Sequence, residues 1–278
     1  MRNILRKTMM EMTWKEVEEM AMKKALVLFP VGVVEEHGPH LPLATDIYLA
    51  LDEAETIQDE FNKLGVPSII APPYYWGATD AATRQFPGTF NARRGTVKEN
   101  IIDILANLET FGFDKAVILN CHGDPAHRES IVDALKEYNE NNKLKAKWLT
   151  FEDDLKWQGF KGDEDYILAL PAMSFEEMFK CDKEPTDNFD IHAGAFETAG
   201  MIESFPELVK QEIIPELPKT DLHGDEIKRW ARGEKEDKEV IPQGYCGDPA
   251  MSLYIKTDMN KANRIIAAQI KEILNKEI

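Results

Sequence analysis

The twelve residues from Glu35 to Asp46 set Glu35, His37 and Asp46 around a turn signalled by Gly38 and Pro39. Carboxylates and imidazoles gathered in one segment are costly to bury unless something pairs with them, and a divalent cation is the usual partner. Glu35 and His37 lie two residues apart, so in extended chain they point the same way. Asp46 returns toward them once the turn has reversed the chain. One aspartate with two oxygens can bridge a pair of ions about 3.5–4 Å apart, as binuclear hydrolases require. Thr45 and Asp46 also stand where a following helix wants an N-cap. With Glu35 and His37 upstream, a metal site is the stronger reading.

Two further clusters carry chemistry. In Asn120-Cys121-His122-Gly123-Asp124-Pro125, His122 follows a buried strand, and Gly123 permits close approach of backbone to a ligand. Asp124 before Pro125 is equally an N-cap and N1 pair, so capping and ligation both stay open. His127 is read as a supporting or surface residue. In His192-Ala193-Gly194-Ala195-Phe196-Glu197-Thr198, the spacing can place an acid/base and a carboxylate in one pocket. The alternative is a loop histidine and a first-turn glutamate favouring a helix dipole. Gly244 to Ala250 is a turn signature that shapes a site, and His223 is read as surface.

The elements that must position these groups alternate along the first half. Apolar runs predict strands at 25–31, 66–71, 116–119 and 148–151, and helical periodicity predicts helices over about 47–63, 96–111 and 126–139. Ligand loops leaving strand C-termini sit where open α/β sheets bind ligands. The alternation implies a mainly parallel sheet with helices on both faces. Residues 152–190, with Trp157, Phe160, Phe175 and Phe179, predict long loops or a lid. Residues 214–247, with the charge run 232–239, predict a surface excursion. Ala262, Ile265, Ile266, Ile270, Ile273 and Leu274 mark a closing amphipathic helix. One domain over 1–278 is the expectation.

Composition narrows the classes. A net charge of −17 repels phosphates, which excludes nucleic acid as the expected partner. No apolar run approaches the roughly 18–20 residues of a membrane span, and the N-terminus lacks the apolar core of a secretory signal. Cys121, Cys181 and Cys246 are scattered, which suits a cytoplasmic protein better than a disulfide framework.

Four motifs in order resemble the creatininase family of amidohydrolases: Glu35-x-His37-Gly-Pro-His40-Leu-Pro-x-x-Thr45-Asp46, Asn120-x-His122-Gly, His192-Ala-Gly-x-x-Glu197-Thr198 and Gly247-Asp248-Pro249. Phe86-Pro-Gly-Thr89 resembles a family segment that lines the site, which makes Thr89 and Gly123 candidate substrate contacts. The resemblance implies a single three-layer α/β/α domain, a homo-oligomer (often a hexamer) and two divalent ions, Zn, Mn or Fe. It makes Glu35, His37, Asp46 and His122 ligands, with Asp46 bridging, and His192 the acid/base or substrate-orienting residue. Either Asp124 or Glu197 then completes the second ion's ligands.

The chain departs from the creatinine-hydrolysing enzyme at Asn188-Phe189, where that enzyme has Trp-Asp, and at Gly123, where it has Tyr. Creatinine is therefore not the expected substrate. The expected activity is metal-dependent hydrolysis of a non-peptide or cyclic C–N bond in a small molecule, by a hydroxide held between the ions. A peptide-trimming member of the family, or a non-catalytic metal-binding or assembly protein that keeps the fold, are the competing expectations. A phosphate-binding protein is disfavoured because no Gly-rich phosphate loop follows the first strand.

Overall fold

Short runs of β-branched and aliphatic residues, apolar at every position, form strands that are buried on both faces, and such strands pair in parallel. The computed structural model describes residues 3–79, 83–173, 179–183, 189–231, 237–257 and 259–276. Five strands, of which β1 and β5 are apolar at every position, make its main sheet: β1 (Leu26–Val31), β2 (Ser68–Ile70), β3 (Lys115–Asn120), β4 (Lys145–Phe151) and β5 (Ile167–Leu170). Their order is β2-β1-β3-β4-β5, and every pairing is parallel.

Alternation along β1 divides the core. Val27, Phe29 and Val31 face one side, under α1 (Trp14–Met22), α3 (Arg94–Thr110) and α4 (Pro125–Asn141). Leu26 and Leu28 face the other, with Leu51, Ile57 and Phe61 of α2 (Thr45–Lys63) and Ile266 and Ile270 of the C-terminal helix, Met259–Lys276. The result is the expected three-layer α/β/α arrangement around a parallel sheet. Among the described residues, no helix is long and apolar enough to cross a membrane.

The chain runs outward from β1 in both directions, to β2 on one side and to β3 on the other, so β1 and β3 flank a topological switch point. Val31 pairs with Asn120 at the strand ends. The loop from β1 to α2 and the loop from β3 to α4 therefore emerge side by side, and these carry the first two candidate clusters.

The second half holds more regular structure than its sequence predicts. Strand β5 lies within 152–190, a segment that reads as loop. Its four residues are fixed by pairing with β4, since a run that short carries no decisive period. Two more strands, β6 (Phe179–Cys181) and β7 (Ile255–Thr257), pair antiparallel. Helix α5 spans Glu152–Gln158, α6 follows as Ala195–Ser204 and α7 as Gly224–Ala231. The 214–247 segment is not merely surface, because Ile214, Ile227, Trp230, Ile241 and Tyr245 are all buried. Phe175, Asn188 and residues 232–236 lie outside the described residues, as do the side chains of Trp157, Phe179 and Leu274.

Candidate metal centre

Asp46 is the second residue of α2, and the helix gives it no capping duty. Ala44 stands at the N-cap without a side-chain bond, and the Thr45 hydroxyl donates to the Pro42 carbonyl. The Asp46 carboxylate turns instead toward two histidines. Oδ1 lies 3.0 Å from His37 Nε2, and Oδ2 lies 3.2 Å from His122 Nδ1. Glu35 Oε1 is 3.0 Å from that same His122 nitrogen and 3.8 Å from His192 Nδ1. Glu197 Oε2 is 3.8 Å from His37 Nε2. All of these side chains are buried except Glu197, which is half-buried.

Among the described residues, three groups have donor atoms within 4.8 Å of one another: Glu35, Asp46 and His122; His37, Asp46 and Glu197; and Glu35, His37 and His192. Asp46 belongs to the first two, with a different oxygen facing the histidine of each. The ring protons bear on whether a cation fits. His37 Nδ1 lies 3.2 Å from the Glu35 carbonyl, which can only accept, so Nδ1 carries the proton and Nε2 is left facing two carboxylates. A histidine anchored through one nitrogen to a carbonyl, with the other turned into a nest of anionic oxygens, is the usual arrangement of a metal ligand. Asp46 Oδ2 is buried and has no partner of good hydrogen-bond geometry despite its nearness to His122. An acceptor of that kind needs a cation or a proton. The donor set fits divalent metal ions.

Asp124 lines the cavity at the centre but is engaged elsewhere. It is the N-cap of α4, with Oδ1 accepting from Ala126 N at 2.7 Å, and it joins none of the three groups. The structure thus brings Glu197, rather than Asp124, beside the first-motif ligands. Thr89 is turned to the backbone, where its hydroxyl accepts from Glu36 N at 3.0 Å. The hydroxyl that reaches the centre belongs to Thr83, which donates to Glu35 Oε2 and fixes that carboxylate. A lone threonine in polar sequence gives no signal for this role. Gly123 lines the cavity at the centre together with Ile191 and Trp230. His127 is fully buried, its Nδ1 accepting from Ala78 N at 3.3 Å.

The third segment is held by a carboxylate that the sequence reading passed over. Asp190 accepts from Ala195 N at 2.6 Å and Phe196 N at 3.4 Å, at the start of α6. Gly194 and Gly247 lie against it so closely that a Cβ on either would come within 2.4 or 2.5 Å of its oxygens. One half-buried carboxylate thereby accounts for two motif glycines. The same unit sets His192, which bridges to Cys246, and Glu197, which accepts from Ala193 N at 2.6 Å. His192 Nε2 donates to the Glu36 carbonyl at 2.9 Å, leaving Nδ1 toward Glu35.

The creatininase family model, described as creatinine amidohydrolase, matches residues 10–274. The chain belongs to the creatininase family. It is 27% identical over 214 residues to the creatinine amidohydrolase of Pseudomonas putida, spanning 75% of each chain. It is 25% identical over 204 residues to the 3-dehydro-scyllo-inosose hydrolase of Thermotoga maritima, spanning 72% of this chain and 57% of that protein. A mycofactocin precursor peptide peptidase of Mycolicibacterium smegmatis is 32% identical over 117 residues, 41% of this chain and 45% of that one.

Solved creatininases share the fold. One superposes with a TM-score of 0.65 at 18% identity, covering 98% of this chain and 97% of its own. A manganese form gives 0.63 at 16% identity, covering 98% of each chain. A variant of Zn-Zn type gives 0.64 at 18% identity, covering 100% of this chain and 99% of its own.

In this creatininase-family chain the charges of the centre act strongly on one another. Burial pushes Glu35 upward, but His122 and His192 overcome it and hold the carboxyl at about 2. Burial likewise opposes the charge on His37, and Asp46 with Glu197 and Glu35 raises it to about 10. His122 is raised well above its ordinary value by Glu35 and Asp46 against the same burial cost. His40 and His127 go the other way: burial, then the neighbouring imidazolium charges, lowers them to about 4 and about 3.

Linkage gives the signs. The raised histidines stabilise fully below about 6.5 and lose that contribution as pH climbs toward 10. The neutral histidines penalise the fold as pH falls from about 6.5, because only the unfolded chain takes up their protons there. The depressed Glu35 loses its contribution as pH falls from about 4.5 toward 2. Metal-free protein should therefore lose stability as pH rises from about 6.5 to 9, read as a falling thermal midpoint. A flat profile between 6.5 and 9 would contradict the imidazolium assignments.

Proposed function

We propose that the protein is a binuclear metal-dependent amidohydrolase that cleaves a non-peptide or cyclic C–N bond (an amide, lactam or formamide) in a small molecule other than creatinine. The observation that carries this reading is the division of Asp46, whose two oxygens face histidines of two different donor groups. Glu35, Asp46 and His122 would hold one ion, and His37, Asp46 and Glu197 the other. Mixed carboxylate and imidazole donors suit Zn, Mn or Fe, and the zinc and manganese forms of solved creatininases support the first two. Divalent ions so placed supply Lewis acidity toward a carbonyl oxygen and lower the pKa of water toward about 7.

The chain's own groups supply the rest. His192 has Nε2 committed to the Glu36 carbonyl, so Nδ1 is the atom that can pass a proton to the departing nitrogen. Trp230 and Ile191 form an apolar wall over the donor groups, which limits water there and strengthens charge interactions within. The relatives act on creatinine, an inosose and a precursor peptide, so membership alone does not name the substrate. The cavity at the centre, about 90 Å³, favours a compact scissile group over an extended peptide. Free thiols at all three cysteines support a reducing, cytoplasmic setting. The exposed ring cluster of Tyr75, Trp76 and Phe90 supports a homo-oligomer.

Two measurements test the assignment. Zinc-reconstituted protein should hold two ions per chain by elemental analysis, and Asp46→Ala should lose both. Asp124→Asn should keep both ions, because asparagine caps as well as aspartate, whereas Glu197→Gln should weaken one sharply. A single ion in the wild type, or both retained in Asp46→Ala, defeats the bridging scheme. Next, lactams, formamides and short peptides should be screened with metal-loaded protein. On the amide so found, His192→Ala should keep its metals yet turn over about 10²-fold more slowly or worse. Near-normal kcat would remove the proton-transfer role, and lost metal would make His192 a ligand. Absence of turnover on every amide, with two ions bound, would favour a non-catalytic metal-binding protein.

A further inference from the structure

The cavity at the metal centre is too small to be a complete ligand site, since sites for small molecules commonly enclose roughly 300–1,000 Å³. A second cavity of about 380 Å³ adjoins it, and Cys121, His122 and Gly123 line both. Its walls carry Glu53, Asn120, Arg128, Thr150 and Asp154, so hydrogen-bond donors and acceptors face the same space. Leu149 and Phe151 supply apolar surface between them. The Arg128 guanidinium already has Asp124 and Asp154 as countercharges. Burial and then the neighbouring Asp52 push the Glu53 carboxyl up to about 7, so it faces this space in good part as a neutral acid that can donate. Mixed polar groups beside an aromatic residue suit a neutral, many-hydroxylated ligand. Gly123 stands at the junction: it is exposed, a Cβ added there would meet nothing within 4 Å, and its φ is not in the left-handed region. A side chain at 123 would project into open space without straining the backbone.

We propose that the cavity behind Gly123 is a second binding chamber, continuous with the metal centre, that receives a neutral polyhydroxylated portion of the substrate remote from the scissile bond. This rests on the metal-dependent hydrolase reading and adds the substrate class to it. Three hydroxamates probe it, each anchored by its chelating head: acetohydroxamate, hexanohydroxamate and gluconohydroxamate. The last two have six-carbon chains and differ in their hydroxyls.

Calorimetry on zinc-loaded wild type should show gluconohydroxamate binding about tenfold tighter than hexanohydroxamate, the worth of one or two net hydrogen bonds. Gly123→Tyr should erase that preference while zinc content is retained. Thr150→Val, nearly isosteric, should weaken gluconohydroxamate about threefold or more and leave hexanohydroxamate unmoved. Tighter or equal binding of hexanohydroxamate by wild type overturns the proposal. So does a Gly123→Tyr protein that keeps the preference, or that weakens acetohydroxamate as much as gluconohydroxamate. If acetohydroxamate fails to bind zinc-loaded wild type, or binds unchanged after chelation, the hydrolase reading itself fails and the chamber falls with it.

Discussion

Buried negative charge governs this structure. Glu35 and Asp46 are withdrawn from water within 4 Å of three histidines, and neither carboxylate can be held there without positive charge among them. In the metal-free chain the imidazoles carry that charge. Ions held by the proposed donor groups would take it over, and His37 and His122 would release protons on becoming ligands. Metal uptake and proton release are thus two sides of one balance, set by how deeply the carboxylates are sunk between β1 and β3.

Everything around the cluster serves to keep those groups convergent. The register of Val31 on Asn120 sets two ligand loops side by side. The third segment arrives from far along the chain and has no strand of the main sheet to align it. Its precision comes from Asp190, clamped between two glycines and the first amides of α6. Helix α6 then packs on α2 through Tyr48 and Phe205, whose ring centroids lie 4.9 Å apart. Phe205 caps the C-terminal end of α6, so this contact ties that end to the first turn of α2.

What the sequence reveals follows from how local each feature is. Glu35, His37 and Asp46 could be read because their spacing and turn are contained in one loop, and His122 because it abuts an obvious strand. The competition between Asp124 and Glu197 could not be resolved, since each also stands where a helix start welcomes an acid. Three-dimensional placement makes Asp124 a cap and brings Glu197 to His37. Thr83 and Trp230 were invisible for another reason. Their roles depend on contacts with Glu35 in one case, and with Ile241 and Cys246 in the other, and no periodicity announces such partners. Strand β5 was hidden because four residues gain their state from a neighbouring strand and not from their own pattern.

The division of ligands along the chain also has a consequence in time. Glu35, Asp46 and His122 all belong to the first half, on the loops that β1 and β3 position. Glu197 emerges from synthesis seventy-five residues after His122, an interval of several seconds or more at about 5–20 residues per second. A nascent chain therefore presents one complete donor group well before the other exists. If these groups hold ions as proposed, order of synthesis would become order of loading, and the identity of the first ion would be set by whichever metal is available while the ribosome is still at work.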